Sequence, residues 1–245
     1  MFKILVEYDG TGLCGWQKQL EGDSVQEFLE CAIFNLTNEK VEVNGAGRTD
    51  AGVHAYAMCA SVDVKKEISE YNFVEGINFH LRELKASVCV LSAELVDGAF
   101  HARFSAKSRS YVYRIVNRRA PLVVDKDRAW HVSQKLDVEK MREAGQYFIG
   151  NHDFTSFRAA ACQALSPVKT LDVFEVNQLG DEIKIYVKAK SFLHNQVRNM
   201  VGAVKEVGVG RFEPEDIKKI LDYKDRKKAP VCAPACGLYF YNVEY

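Results

Sequence analysis

The feature that most constrains this chain is a change of hydrophobic period. Phe2, Ile4, Val6 and Tyr8 alternate with Lys3, Leu5 and Glu7, the period of two of a half-buried strand. Ser24-Val25-Gln26-Glu27 then reads as a capping box, and Val25, Phe28, Leu29, Ala32, Ile33 and Leu36 follow at helical spacing. Val41–Val43 reads as a short strand, 44–52 as a polar, glycine-rich loop and Val53–Val64 as a longer strand. A helix over Tyr71–Leu81 and a strand over Ser87–Val96 complete a β-α-β-β-α-β order.

The second half reads the same way. Strand Ser110–Asn117 is followed by helix Asp137–Ile149, which Gly150 closes, and by strands Leu171–Asn177 and Ile183–Lys190 around a Gly180-Asp181 turn. A helix over His194–Val207, another opened by Pro214-Glu215-Asp216 and a closing strand Leu238–Tyr245 end the chain. The expected fold is therefore α+β, with two pseudo-repeated βαββαβ (ferredoxin-like, RRM-like) halves of mainly antiparallel sheet facing a central cleft. The expected domains are residues 1–105 and 106–245, with a hinge near Gly98–Ala106.

The 245 residues are 47% hydrophobic, enough to bury one large core or two modest ones without disulfide staples. No run approaches the ~20 apolar residues of a membrane span. The N-terminus carries Glu7 and Asp9 where a signal peptide would keep its apolar core, so a cytoplasmic protein with no membrane partner is expected. Seven cysteines, none in a Cys-x-x-Cys pair, argue against a structural zinc site, and most of them, in apolar runs such as Ala57-Met58-Cys59-Ala60, read as small buried hydrophobes. His54, His101 and His194 lack metal-site spacing, so no metal is expected.

Formal charge sums to zero, yet 103–119 holds six basic residues (Arg103, Lys107, Arg109, Arg114, Arg118, Arg119) and no acidic one, interleaved with Phe104, Tyr111 and Tyr113. Such a mixture suits a nucleic-acid backbone and its bases. A solvated strand face would look the same.

The loop Asn44-Gly45-Ala46-Gly47-Arg48-Thr49-Asp50-Ala51-Gly52-Val53-His54 is the densest chemical signal. A dinucleotide-binding turn would need glycine where Asp50 stands and a helix where a strand follows, so a nucleotide-cofactor oxidoreductase is excluded. What remains is a tight loop presenting Arg48 and Asp50, or else a plain turn.

With these residues in view, the chain resembles the tRNA pseudouridine synthase A family. The blocks that carry the resemblance run in order along essentially the whole sequence: Tyr8-Asp9-Gly10-Thr11 with Gly15-Trp16-Gln17, Gly45–Ala55, Phe100–Ala106, Arg109–Arg114, His152–Phe157, Phe192–Gly202 and Ala233–Leu238. Lys169 stands where the family tends to have Arg, and Leu81-Arg82-Glu83 replaces a more usual Leu-Pro. Neither departure touches the chemistry.

The resemblance implies isomerisation of uridine to pseudouridine at positions 38, 39 and 40 of the anticodon stem and loop of tRNA, without cofactor or metal. Asp50 would be the nucleophile, attacking either the ribose anomeric carbon or the uracil ring. Arg198 matches the family's charge partner for that carboxylate and would keep it ionised. Tyr111 matches the tyrosine that stacks on uracil and can help move the carbon-5 proton. Arg48 would fill the space left by the flipped nucleotide, Leu193 would line the pocket, and Lys107, Arg109 and Arg114 would contact phosphates. A homodimer is implied by the family. A non-catalytic RNA-binding protein on the same scaffold is the rival reading, but a binder has no use for a carboxylate aimed at phosphate-rich RNA.

Overall fold

The computed structural model describes residues 1–160 and 162–245. In chain order its elements are β1 (Phe2–Tyr8), α1 (Val25–Thr37), β2 (Asn44–Gly45), β3 (His54–Val62), α2 (Glu70–Glu83), β4 (Val88–Leu95), β5 (Ser108–Asn117), β6 (Trp130–Val132), α3 (Val138–Gln146), β7 (Gly150–Asp153), β8 (Val168–Leu179), β9 (Glu182–Ala189), α4 (Gln196–Gly208), α5 (Asp216–Tyr223) and β10 (Leu238–Glu244). The fold is mixed α+β, with mostly antiparallel strand pairs. No helix among the described residues is long and apolar enough to cross a membrane. The chain forms two compact units, Met1–Lys107 with Tyr239–Tyr245, and Ser108–Leu238.

In the first unit the strands run β4-β1-β3-β10, with β2 beside β3. The alternation that predicts β1 is what the structure buries: Phe2, Ile4, Val6 and Tyr8 face inward, and β1 pairs antiparallel with both β3 and β4. Phe2 stacks on Phe73 of α2 at 4.1 Å, and α1 contributes Leu29, Ala32 and Ile33 to the same core. Each such fully buried large side chain contributes roughly 1.5–3 kcal/mol. Ser24 caps α1 by accepting from Glu27 N–H at 3.3 Å, while the Glu27 carboxylate turns to Lys18 at 3.7 Å, so the serine half of the expected capping box is formed. The strand expected over Val41–Val43 is instead two residues, Asn44–Gly45. Glu30 of α1 takes the Val43 N–H at 3.2 Å, which removes a donor from any ladder there.

In the second unit the strands run β5-β9-β8-β7, all antiparallel, and β6 lies parallel to β5. The Gly180-Asp181 turn joins β8 and β9 as expected, with Leu179 opposite Glu182 and Gly180 at φ 58°. Two short strands, β6 and β7, were not foreseen. The closing strand, expected to complete the second half, runs parallel to β3 of the first unit, Tyr239 opposite His54 and Phe240 opposite Ala55.

Helix α4 is buried on nearly every side, with Val197, Met200, Val201, Ala203, Val204 and Val207 in the core. Its backbone approaches the segment before β10 closely enough that a β-carbon on Gly202 would lie 2.1 Å from the Val231 carbonyl oxygen. Asn199 fastens the same helix, donating to Phe157 O at 2.8 Å and accepting from Arg226 at 3.0 Å. Gly202→Ala is therefore expected to cost about 1–3 kcal/mol by overpacking against backbone that cannot rotate away. In a chain of this size that lowers Tm by roughly 2–4 °C per kcal/mol; a calorimetric scan with unchanged Tm would contradict the packing described.

Candidate active site

Asp50 sits on a loop whose neighbours are all tied down. The Asp50 carbonyl accepts from Val53 N–H at 3.1 Å, closing a four-residue turn whose third residue, Gly52, has φ 76°, a conformation side chains avoid. On the other side, Thr49 O accepts from Trp16 N–H at 3.1 Å, and its hydroxyl meets the Tyr8 phenol at 2.8 Å in a buried contact. Gly52 N–H reaches back to Leu13 O at 3.3 Å. The Gly10–Trp16 segment is thus a clamp over the loop. It can lie there only because Gly15 adopts φ 108°, and a β-carbon on it would stand 2.4 Å from Thr49 O. Asp50 itself is half-buried, and Arg48 is exposed. The loop leads into β3, the strand that the sequence required in place of a nucleotide-binding helix.

Behind the loop lies a buried polar column. His54, 2% exposed, accepts from Gly10 N–H through Nδ1 at 3.0 Å, and the same nitrogen stands 3.1 Å from Asp9 Oδ1. Its ring stacks on Tyr239 at 4.6 Å, and Tyr239 stacks on Tyr56 at 4.7 Å. His54 therefore fastens Gly10 to β3 and serves the scaffold of the Asp50 loop.

The second unit brings Tyr111, Phe192, Leu193, Gln196 and Arg198 together. Tyr111 of β5 is 8% exposed and meets the Phe192 ring edge-on at 5.1 Å. Leu193 is buried, and its N–H donates to Gln196 Oε1 at 2.8 Å. Arg198, in the first turn of α4, is oriented by two acceptors, Ala233 O at 2.8 Å from Nε and Asn195 Oδ1 at 3.2 Å from Nη1. Gln196 was missed from the sequence: it is 1% exposed, and its Nε2 donor has no hydrogen-bond partner among the described residues. A Gln at the start of an apolar helix looks like a cap, so nothing in the sequence marked it. Tyr113, two residues from Tyr111 on β5, is structural. Its hydroxyl donates to Pro234 O at 2.7 Å, and burial pushes the phenol well above its ordinary value although Arg198 pulls it the other way.

The basic run divides. Lys107 is exposed, and its ammonium makes no hydrogen bond or ion pair among the described residues. Arg109 is half-buried and donates to Lys190 O at 2.7 Å. Arg114 is committed elsewhere, with Nε donating to Glu182 at 2.6 Å and Nη2 to Asp125 at 3.2 Å. Burial opposes ionisation of Glu182, but the Arg114 bond outweighs it and holds the carboxyl below its usual range. The stabilisation is complete above the ordinary carboxylate pKa and is lost as pH falls through the lowered one. Arg118 folds back on Ala120 O at 3.3 Å.

A family model described as tRNA pseudouridine synthase matches residues 4–105 and 144–245. Over 244 residues the chain is 50% identical to the tRNA pseudouridine synthase A of Paramagnetospirillum magneticum (strain AMB-1), an alignment covering 100% of this chain and 94% of that one. It is 51% identical to the tRNA pseudouridine synthase A of Rhodospirillum centenum (100% and 99% covered) and 48% identical to that of Maricaulis maris (100% and 97% covered). The family-model match contains Asp50 and Arg198; Tyr111 falls outside it but inside all three full-length alignments.

The clamp on the loop is testable without an activity assay. Gly15→Ala should speed hydrogen exchange at Trp16 and at Gly52–Val53 at least tenfold while leaving β8 and β9 protected. Unchanged exchange at those amides would show that the Gly15 contact does not hold the loop.

Proposed function

Because the chain belongs to the tRNA pseudouridine synthase family, and so is an enzyme that isomerises uridine in tRNA, we propose that Asp50 is its nucleophile and that residues 38, 39 and 40 of the anticodon arm are its targets. The observation that carries the assignment is the immobilised loop. A carboxylate useful for bond formation has to be aimed in advance, and the peptide before Asp50 is fixed by Trp16 N–H from another segment while the peptide after it is fixed by Val53 N–H within the turn.

The reaction breaks the bond from ribose C1′ to uracil N1 and the C5–H bond, turns the ring, and forms the bond from C1′ to C5 and an N1–H bond, so that the proton lost from C5 is matched by the one gained at N1. Atoms and charge balance without a co-substrate, and the reading needs no cofactor or metal. One carboxylate suffices because the base is retained, whereas a glycosidase needs a second carboxyl group to act on water or on the leaving group. Either the ribose anomeric carbon or the uracil ring can accept Asp50, and the same pinned loop serves both.

Arg198 supplies the counter-charge to the Asp50 carboxylate, an assignment supported by the way Ala233 and Asn195 fix its guanidinium. Tyr111 stacks on the uracil and assists removal of the C5 proton, with Phe192 and Leu193 completing an apolar wall that excludes water. Arg48, exposed and without a hydrogen bond or ion pair among the described residues, takes the place of the extruded nucleotide in the stem. Lys107 and Arg109 are assigned to the phosphate backbone. Arg114 is left out of that set, because its donors already serve Glu182 and Asp125. The working form is a homodimer in the cytoplasm, where tRNA is matured; a light-scattering mass of a single 27.7 kDa chain would overturn the dimer.

Mapping pseudouridine on an unmodified tRNA with uridine at all three positions tests the reading. Asp50→Asn should lower the rate by roughly a thousandfold or more, on the order of 4 kcal/mol of barrier. Its tRNA affinity should be unchanged or tighter, since a charge repelling phosphate is gone. An active variant removes Asp50 from the nucleophile's role. Wild-type protein that binds tRNA and forms no pseudouridine favours the binding-protein reading instead.

A further inference from the structure

The first unit carries a surface cavity to which the proposed reaction assigns only Arg48. The cavity, of about 160 Å³, opens beside the Asp50 loop, lined by Gln17, Glu42, Arg48, His101, Arg103 and Phe104 among others. With water at about 30 Å³ in the liquid, this is room for one planar ring system and not for a base pair. Asp50 is not among its lining residues, although Gly47 and Arg48 of the same loop are.

Phe104 is 76% exposed, and the turn that carries it is well held. The turn is held at several points. Ser105 N–H donates to His101 O at 2.9 Å, Ala102 N–H to the buried Ser61 hydroxyl at 3.2 Å, and the Tyr245 hydroxyl to Ala102 O at 2.8 Å. His101 is oriented by accepting from Arg103 N–H at 3.1 Å, and its ring lies 4.4 Å from Phe104. The Arg103 guanidinium stands 5.5 Å from the same ring. An open aromatic face with the Arg103 guanidinium beside it is the combination that binds a stacked base with its phosphate.

Two of the other lining groups, Gln17 and Glu42, bear on which base is taken. Gln17 Nε2 is used, donating to Gln26 at 2.8 Å, which leaves Oε1 as the free acceptor among the described residues. Glu42 is exposed and makes no ion pair there. Two acceptors, one of them charged, repel a phosphate and favour a base edge that donates. We propose that this cavity is a subsite for a second, unpaired nucleotide of the bound tRNA, stacked on Phe104 and carrying an exocyclic amino group that faces Glu42 and Gln17. The proposal rests on the tRNA-modifying function above and adds to it a contact made by a nucleotide other than the one isomerised.

The test combines binding and turnover on the full-length protein. Phe104→Ala should weaken tRNA binding and raise KM roughly ten- to hundredfold, with kcat at saturating tRNA within twofold and the salt dependence of binding unchanged, because no charge is removed. Phe104→Trp should bind within threefold of wild type. In fluorescence anisotropy, short oligo(A) or oligo(C) should bind several-fold tighter than oligo(U), and Glu42→Ala should erase that ratio. Phe104→Ala binding like wild type removes the stacking subsite. Equal affinity for all oligonucleotides in the wild type, or a preference that survives Glu42→Ala, removes the amino-base assignment. The affinities need no isomerisation, so loss of the Phe104 effect and absence of pseudouridine formation are separate results.

Discussion

A carboxylate on a surface loop samples many positions, and catalysis by a single carboxylate needs one of them. The contact that selects it here is the seating of Gly15 on the Thr49 carbonyl, which lets Trp16 N–H bond to that oxygen. Gly10 makes the matching approach one turn earlier, where an added β-carbon would lie 2.2 Å from Val53 O. Between these two points the clamp and the loop are backbone against backbone, so the spacing is fixed by peptide geometry and not by rotatable side chains. Trp16, buried behind Gly45, and the Tyr8–Thr49 bond close the remaining freedom. Such preorganisation loses less entropy at the moment of reaction than ordering a free loop would.

The second unit solves the same problem with a helix. Arg198 lies in the first turn of α4, whose other faces are buried, so the helix cannot rotate about its axis without exposing core. Asn195 at φ 60° reverses the chain just before it and offers Oδ1 to the guanidinium, while Ala233 exchanges bonds with Arg198 in both directions, N–H to carbonyl at 3.1 Å and Nε to carbonyl at 2.8 Å. A long, flexible cation is thereby held at both its backbone and its head, at the cost of packing so tight that Gly202 admits no methyl group.

How far the sequence could be read follows from the range of each interaction. β1, α1 and the β8–β9 turn are encoded by neighbours two to four residues apart, and they lie where the periodicities put them. The strand expected at Val41–Val43 went astray because its donor is taken by Glu30, thirteen residues earlier. β10 was assigned as a strand correctly, but its partner β3 lies far away in sequence, where alternation says nothing. The same holds for side chains. Charge along 103–119 marks the basic stretch, yet only the fold tells Arg114, neutralised by Glu182 sixty-eight positions on, from Lys107, which faces solvent. The resemblance of the 45–55 loop to a family signature marks Asp50 and Arg48 as candidates, whereas what Gly15, His54 and Gln196 touch is visible only in three-dimensional contacts.

β5 shows how one strand divides structural from chemical duty. Tyr111 and Tyr113, two residues apart, project from the same face and are both buried. Tyr113 has spent its hydroxyl on Pro234 O, and its ring fills the space against Gly237, where a β-carbon would come within 2.5 Å. Burial makes that phenol harder to ionise, so it is a fixed donor and a poor proton acceptor at neutral pH. Tyr111 instead meets the Phe192 ring at right angles, in the T-shaped arrangement that aromatic pairs prefer. The strand thus supplies two buried ring positions, and the Pro234 carbonyl fixes one of them in a structural role.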